Sequence, residues 1–128
     1  ESQYEEHLSL LHRVKRTLPY NDFYYTNLIV AKDASSALMF DYNLLGKGYV
    51  YGDVRNVLSS LSKEAGAAFL EAYGAVDPLE QALDDVVSVV TSLFFACQRE
   101  PFPRWAQSLL QEMKTSMTGN IANLRRFL

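Results

Sequence analysis

Apolar residues recur at intervals of three and four along almost the whole chain, and strict alternation is nearly absent. That period belongs to helices with one buried stripe, and it disfavours a core built from sheet. Breakers cut the pattern into segments. A first helix is predicted over Ser2 to Leu18, with Leu8, Leu11 and Val14 on one stripe and Pro19 as its stop. Asn21 or Asp22 is placed to cap a second helix. Its Tyr24, Leu28, Ala31, Ser35, Leu38, Tyr42 and Leu45 form a coiled-coil-like seam that ends at Gly46.

The stretch from Gly46 to Gly52 is ambiguous, because Tyr49, Val50 and Tyr51 also suit an extended segment. With no obvious second strand to pair with, it reads as a loop. A third helix is expected from Asp53 to Tyr73, with Gly74 as its end and Val54, Val57, Leu58, Leu61, Ala68, Phe69 and Ala72 inward. Asp77 followed by Pro78 is a clear restart, a capping carboxylate and then proline at the first helical position. The fourth helix runs to about Gln98, burying Leu79, Ala82, Val86, Val89, Val90, Leu93 and Phe94. Pro101 and Pro103 break the chain again. The last helix starts near Pro103, carries Trp105, Leu109, Leu110, Met113, Met117, Ile121, Leu124 and Leu128 on its apolar side, and is open to a kink at Gly119.

Five helical segments follow, four of them roughly 30–37 Å long at 1.5 Å per residue. Similar lengths and short turns predict an all-α fold, an up-down-up-down antiparallel four-helix bundle with one additional helix. A length of 128 residues suits a single domain over 1–128, with a terminal helix (1–18 or 103–128) outside the four-helix core. Glu1 stands where Met is usual, and no charged-then-apolar signal pattern follows it.

Composition narrows the function classes. With 12 Lys+Arg against 15 Asp+Glu, the net charge of −3 removes the strong electrostatic case for nucleic acid as the main partner. No apolar run approaches the ~20 residues of a membrane span. Cys97 is the one cysteine, so neither an internal disulfide nor a cysteine-built zinc site is available; at the end of an apolar helix it reads as a small hydrophobe.

Motifs for catalysis are thin. His7 and His12 are five apart and lack the Glu three residues upstream that di-iron bundles need, so they read as solvated helix positions. Ser60-Leu61-Ser62-Lys63 matches a Ser-x-x-Lys pattern without its companion motifs. Gly46, Gly48 and Gly52 do not have dinucleotide-binding spacing. Glu80, Asp84 and Asp85 read as a solvated acidic face rather than a calcium loop. No enzyme activity, cofactor or metal is therefore expected.

Tyr51-Gly52-Asp53-Val54-Arg55-Asn56 resembles a helix entry of PsbQ-type extrinsic proteins of photosystem II. The longer Tyr49 to Ser60 string is similar to the aromatic-x-Tyr-x-Asp stretch of the plant forms. From there to Leu128, helix order and lengths match that family's second, third and fourth bundle helices, with the second helix here standing for the family's first. Val57-Leu58-Ser59-Ser60-Leu61 and Ala96-Cys97 depart from the cyanobacterial-type pattern, toward a diverged relative such as the additional four-helix extrinsic subunit of diatoms. His7-Leu-Ser-Leu-Leu and Pro101-Phe-Pro103 also echo a lumenal assembly factor of the same complex.

The resemblance implies a protein of the thylakoid lumen, peripheral and not inserted, whose partners are the photosystem II core and other extrinsic subunits. It implies a non-catalytic role in oxygen evolution, shielding the surroundings of the Mn-Ca cluster and helping retain calcium and chloride. Charge complementarity with an acidic surface makes Arg13, Lys15, Arg16, Lys47, Arg55 and Lys63 the candidate contacts, with Tyr49 and Tyr51 beside them. The aromatic patch Tyr20, Phe23, Tyr24 and Tyr25 reads more readily as packing. The rival expectation is a helical adaptor or assembly factor that holds a partner in an apolar groove.

Overall fold

In a computed structural model of the chain, the structure describes residues 2–128, and side-chain statements cover residues 5, 6 and 8–128. The His7 side chain lies outside the described residues. The protein is mostly helical with one small sheet. The elements in order are α1 (Ser2–Arg13), β1 (Leu28–Val30), β2 (Ala37–Met39), α2 (Val50–Ser60), α3 (Lys63–Tyr73), α4 (Pro78–Ala96), α5 (Gln107–Thr115) and α6 (Met117–Leu124). Short 3-10 turns lie at Tyr25–Asn27, Arg104–Ala106 and Arg125–Phe127. The chain divides into two compact units, one from residues 1–14 with 77–128, the other from residues 15–76.

In the first unit α6, α5 and α1 all pack on α4. Helix α4 begins as the sequence predicts: the Asp77 carboxylate accepts from the Leu79 N–H at 2.9 Å, with Pro78 at the first helical position. Its buried stripe is Leu79, Ala82, Leu83, Val89, Leu93 and Ala96, while the expected core residues Val90 and Phe94 are exposed. Val89, Leu93 and Met117 form a cluster supported by Val86, Phe102, Leu109, Met113 and Ile121. The predicted last helix is two helices broken at Ser116, whose backbone keeps αR angles (φ −96, ψ −25). Gly119 lies inside α6 without breaking it. Helix α1 stops at Arg13, five residues short of the expected end, and its core residue is Leu10, fully buried, rather than Leu8, which is exposed. The Arg13 Nη1 donates to the Phe127 carbonyl at 2.6 Å, tying the end of α1 to the C-terminal turn.

The second unit overturns one expectation. The helix from Asn21 or Asp22 to Leu45 does not form; the segment holds a 3-10 turn and an antiparallel hairpin pairing Leu28 with Met39, Ile29 with Leu38 and Val30 with Ala37. The four long helices that the expected bundle needs are therefore not all present. The physical reason lies in features that the three-four spacing concealed. Tyr24, Tyr25, Ile29 and Val30 are aromatic or β-branched and favour extended backbone. The polar run after Lys32 makes a turn: the Asp33 carboxylate accepts from the Ser35 hydroxyl at 2.7 Å and from its N–H at 3.1 Å. Those two bonds hold the Asp33 carboxyl below the usual range, the side-chain bond contributing most.

Asn21, Ala34 and Asp41 all take left-handed backbone angles, which no α-helix accommodates. Along the supposed seam Tyr24, Leu38, Tyr42 and Leu45 are exposed. In the hairpin one cross-strand pair faces inward instead. Leu28 and Met39 pack with Leu61 and Phe69 on a core of Tyr20, Phe23 and Val57, and Ile29 and Leu38 are exposed.

The predicted third helix is likewise two. Helix α2 starts at Val50, before Asp53, and α3 restarts after Ser62, whose hydroxyl accepts from the Ala65 N–H at 3.2 Å. Asp53 is thus not the cap. Gly74, at φ +93, closes α3 in the conformation that glycine tolerates best.

Tyr20 closes this core: its ring meets Tyr42 edge-on at 5.5 Å and its hydroxyl donates to the Phe40 carbonyl. Burial raises its pKa above the ordinary value. The nearby Asp22, Asp41 and Tyr42 add to the rise, while the Asn27 hydrogen bond opposes it. In the folded state the neutral phenol is favoured, so the native form binds more protons than the unfolded one above about pH 10. The contribution of Tyr20 to stability is complete below that pH and is lost as pH rises through its folded pKa. Urea unfolding at pH 8 and pH 10.5 should therefore show a larger alkaline loss for the wild-type protein than for Tyr20→Phe. Equal losses would show that Tyr20 titrates as it does in the unfolded chain.

Candidate functional site

The residues singled out as partner contacts are scattered in sequence, and backbone pairing gathers part of them. After α1 the chain runs extended through Lys15 to Pro19. There it meets the approach to α2 in an antiparallel bridge between Thr17 and Gly48. Thr17 N donates to the Gly48 carbonyl at 2.9 Å, Gly48 N returns to Thr17 at 3.1 Å, and Gly46 N reaches the Pro19 carbonyl at 3.3 Å. The strand partner that the Gly46–Gly52 stretch lacked in the sequence is thus the segment just before it enters the hairpin region, about thirty residues earlier. Gly48 suits the crossing, since a Cβ there would sit 3.0 Å from the Pro19 ring and the ring would have to give way.

Register then determines the faces. With Thr17 opposite Gly48, Arg16 lies opposite Tyr49 and Leu18 opposite Lys47, and these four share one side of the ribbon. The Arg16 guanidinium lies over the Tyr49 ring, 5.7 Å from its centroid, a cation–π contact that holds both side chains. Lys15, Arg16, Lys47 and Leu18 are exposed and Tyr49 is half-buried.

Tyr51 and Arg55 follow on the first turns of α2, where Arg55 Nη1 donates to Asn56 Oδ1 at 3.1 Å. Within residues 15–19 and 46–55 there are four cations, Lys15, Arg16, Lys47 and Arg55, against one carboxylate, Asp53. These two segments carry a local excess of positive charge on a chain whose net charge is −3.

The one carboxylate in these segments is tied to the backbone. Asp53 accepts from the Tyr20 N–H through one oxygen and from the Asn21 N–H through the other, both at 2.6 Å. It clamps the end of the ribbon strand to the first turns of α2. Asn21 adds a bond from its own amide to the Leu44 carbonyl at 2.9 Å. The basic ribbon is therefore built on a fixed backbone, so its cations are presented at lower entropic cost.

Two of the eight candidate residues lie apart. Lys63 opens α3, and Arg13 belongs to the other unit, where it holds the C-terminal turn. Leu18 was missed. Its position just before a proline marks extended backbone, which is the signal that places it beside Lys47.

Elsewhere, a cavity of about 360 Å³ at the start of α4 is lined by Pro78, Gln81, Asn123, Arg126 and Phe127. Among the described residues no group of three or more His, Cys, Asp or Glu could hold a metal ion. Among them, too, no helix is long and apolar enough to cross a membrane. No protein-family model, curated protein or solved structure matches the chain.

Proposed function

We propose that this protein is a non-catalytic docking subunit that binds an acidic protein surface through the ribbon face of Arg16, Leu18, Lys47 and Tyr49. The receiving surface in this reading is the lumenal face of photosystem II. There the protein supports oxygen evolution by shielding the surroundings of the Mn-Ca cluster and helping retain calcium and chloride. The observation that carries the reading is the convergence of cations and an aromatic ring on one side of a clamped ribbon. That ribbon leads directly into the Tyr49 to Ser60 string on which the PsbQ resemblance rests.

Docking of this kind is steered by charge and ringed by water, so salt weakens it. Photosystem II membranes stripped of extrinsic subunits should rebind the protein at low ionic strength and release it in about 1 M NaCl, where the Debye length falls to roughly 3 Å. Arg16→Glu/Lys47→Glu should bind roughly five- to thirtyfold more weakly, at about 0.5–1 kcal/mol per exposed contact, with unchanged helical signal. Rebinding should also restore oxygen evolution at limiting calcium and chloride. Full binding by the double variant, or retention at high salt, would overturn the ribbon as the docking surface. No binding to the stripped membranes would remove photosystem II as the partner.

A further inference from the structure

A second exposed surface lies in the first unit, remote in sequence from the ribbon. Phe94 and Phe95 close α4 and stack edge to face at 5.5 Å, and Trp105 sits in the turn that leads into α5. They are 63%, 56% and 50% exposed. Their small neighbours Ala96 and Ala106 are fully buried, so the backbone at both places is anchored with the aromatic rings outside.

Phe102 packs onto the Val89, Leu93 and Met117 cluster and secures the connection between them. The Arg104–Ala106 turn packs back on α4, and Phe102, three residues before Trp105, lies against Val89 and Leu93 in the C-terminal half of that helix, the half that carries Phe94 and Phe95. Two exposed cations, Arg99 and Arg104, flank the rings, with Glu100 the one acid between them.

We infer that this end of the unit, Phe94, Phe95 and Trp105 flanked by Arg99 and Arg104, docks on the surface of an anionic lipid bilayer. The chemistry of the patch matches that environment on both counts. Aromatic rings partition into the headgroup boundary, and indole does so with its N–H still solvated. Arginine keeps its stem against apolar material while its guanidinium reaches phosphate or sulfate oxygens. The contact is superficial, since no described helix is able to span the bilayer. The inference does not depend on the photosystem reading, because pure lipid is enough to test it.

Trp105 is the only tryptophan, so its emission reports on this surface alone. With the full chain, vesicles of 30% phosphatidylglycerol in phosphatidylcholine should shift that emission to the blue and sediment the protein. Pure phosphatidylcholine should do so far less. Arg99→Glu/Arg104→Glu should lower binding to the anionic vesicles by at least about tenfold, at roughly fivefold per arginine removed. Phe94→Ser/Phe95→Ser should lower it comparably with helical content retained. Unchanged emission and no sedimentation with anionic vesicles would overturn the inference. So would equal binding to neutral and anionic vesicles. Crosslinking of the patch to a protein in whole membranes, without binding to pure lipid, would assign it to a protein partner instead.

Discussion

Asp53→Ala is expected to lower the stability of the second unit by about 2 kcal/mol. The Asp53 carboxylate is the common acceptor for the Tyr20 and Asn21 N–H groups. Hydrogen bonds to an ionised acceptor contribute roughly 1.5–3 kcal/mol each when shielded; the Asn21 bond is exposed and is discounted accordingly. Alanine leaves both donors without their acceptor at the point where Asn21 already holds a left-handed conformation, φ 65. Asparagine is the informative companion. Its amide has one acceptor oxygen, so Asp53→Asn should retain one bond and lose about half as much.

Urea unfolding measures both, and hydrogen exchange at the Tyr20 and Asn21 amides locates the loss. The same substitution should weaken docking several-fold through the loosened ribbon, without touching a cation. A change of less than about 0.5 kcal/mol for Asp53→Ala would show that the clamp adds nothing to the fold.

Leu10→Ala should cost still more, about 3 kcal/mol, and should act in the other unit. Leu10 is fully buried on α1, a helix held to its unit by packing on α4 and by the Arg13 bond to Phe127. Truncation removes three carbons from contact with the core and leaves a cavity that the surrounding helices fill only in part. Leu8→Ala, at an exposed position two residues away, is the control, with an expected change within about 0.5 kcal/mol. Equal effects from the two would mean that α1 does not bury the face the structure assigns to it.

Where sequence reading succeeded, it rested on local chemistry that has one outcome. Asp77-Pro78 starts α4 because a short carboxylate satisfies an early N–H and proline has none to waste, and Gly74 ends α3 because the chain needs φ +93 there. Where it failed, the period was compatible with two structures. Leu28 and Met39 occupy core positions in the hairpin as readily as Leu28 and Leu38 would in a helix. The deciding features were the turn at Asp33 and Ser35 and the left-handed residues Asn21, Ala34 and Asp41. Of these, the Asp-Ala-Ser-Ser run was readable as a turn in advance, whereas left-handed angles at alanine were not.

The candidate site divides the same way. The excess of Lys15, Arg16, Lys47 and Arg55 over acid is visible in the sequence. That Arg16 lies over Tyr49 is not, because it depends on pairing between Thr17 and Gly48.

The mostly helical class, the restart at Asp77 and the charge available for docking were determined by the amino-acid sequence alone, because each depends on neighbours within a turn or on simple addition. The hairpin in place of a helix, the breaks at Ser62 and Ser116, and the face shared by Arg16, Leu18, Lys47 and Tyr49 were decided only in the tertiary structure. Each depends on which distant backbone and side chains compete for the same hydrogen bonds and the same core.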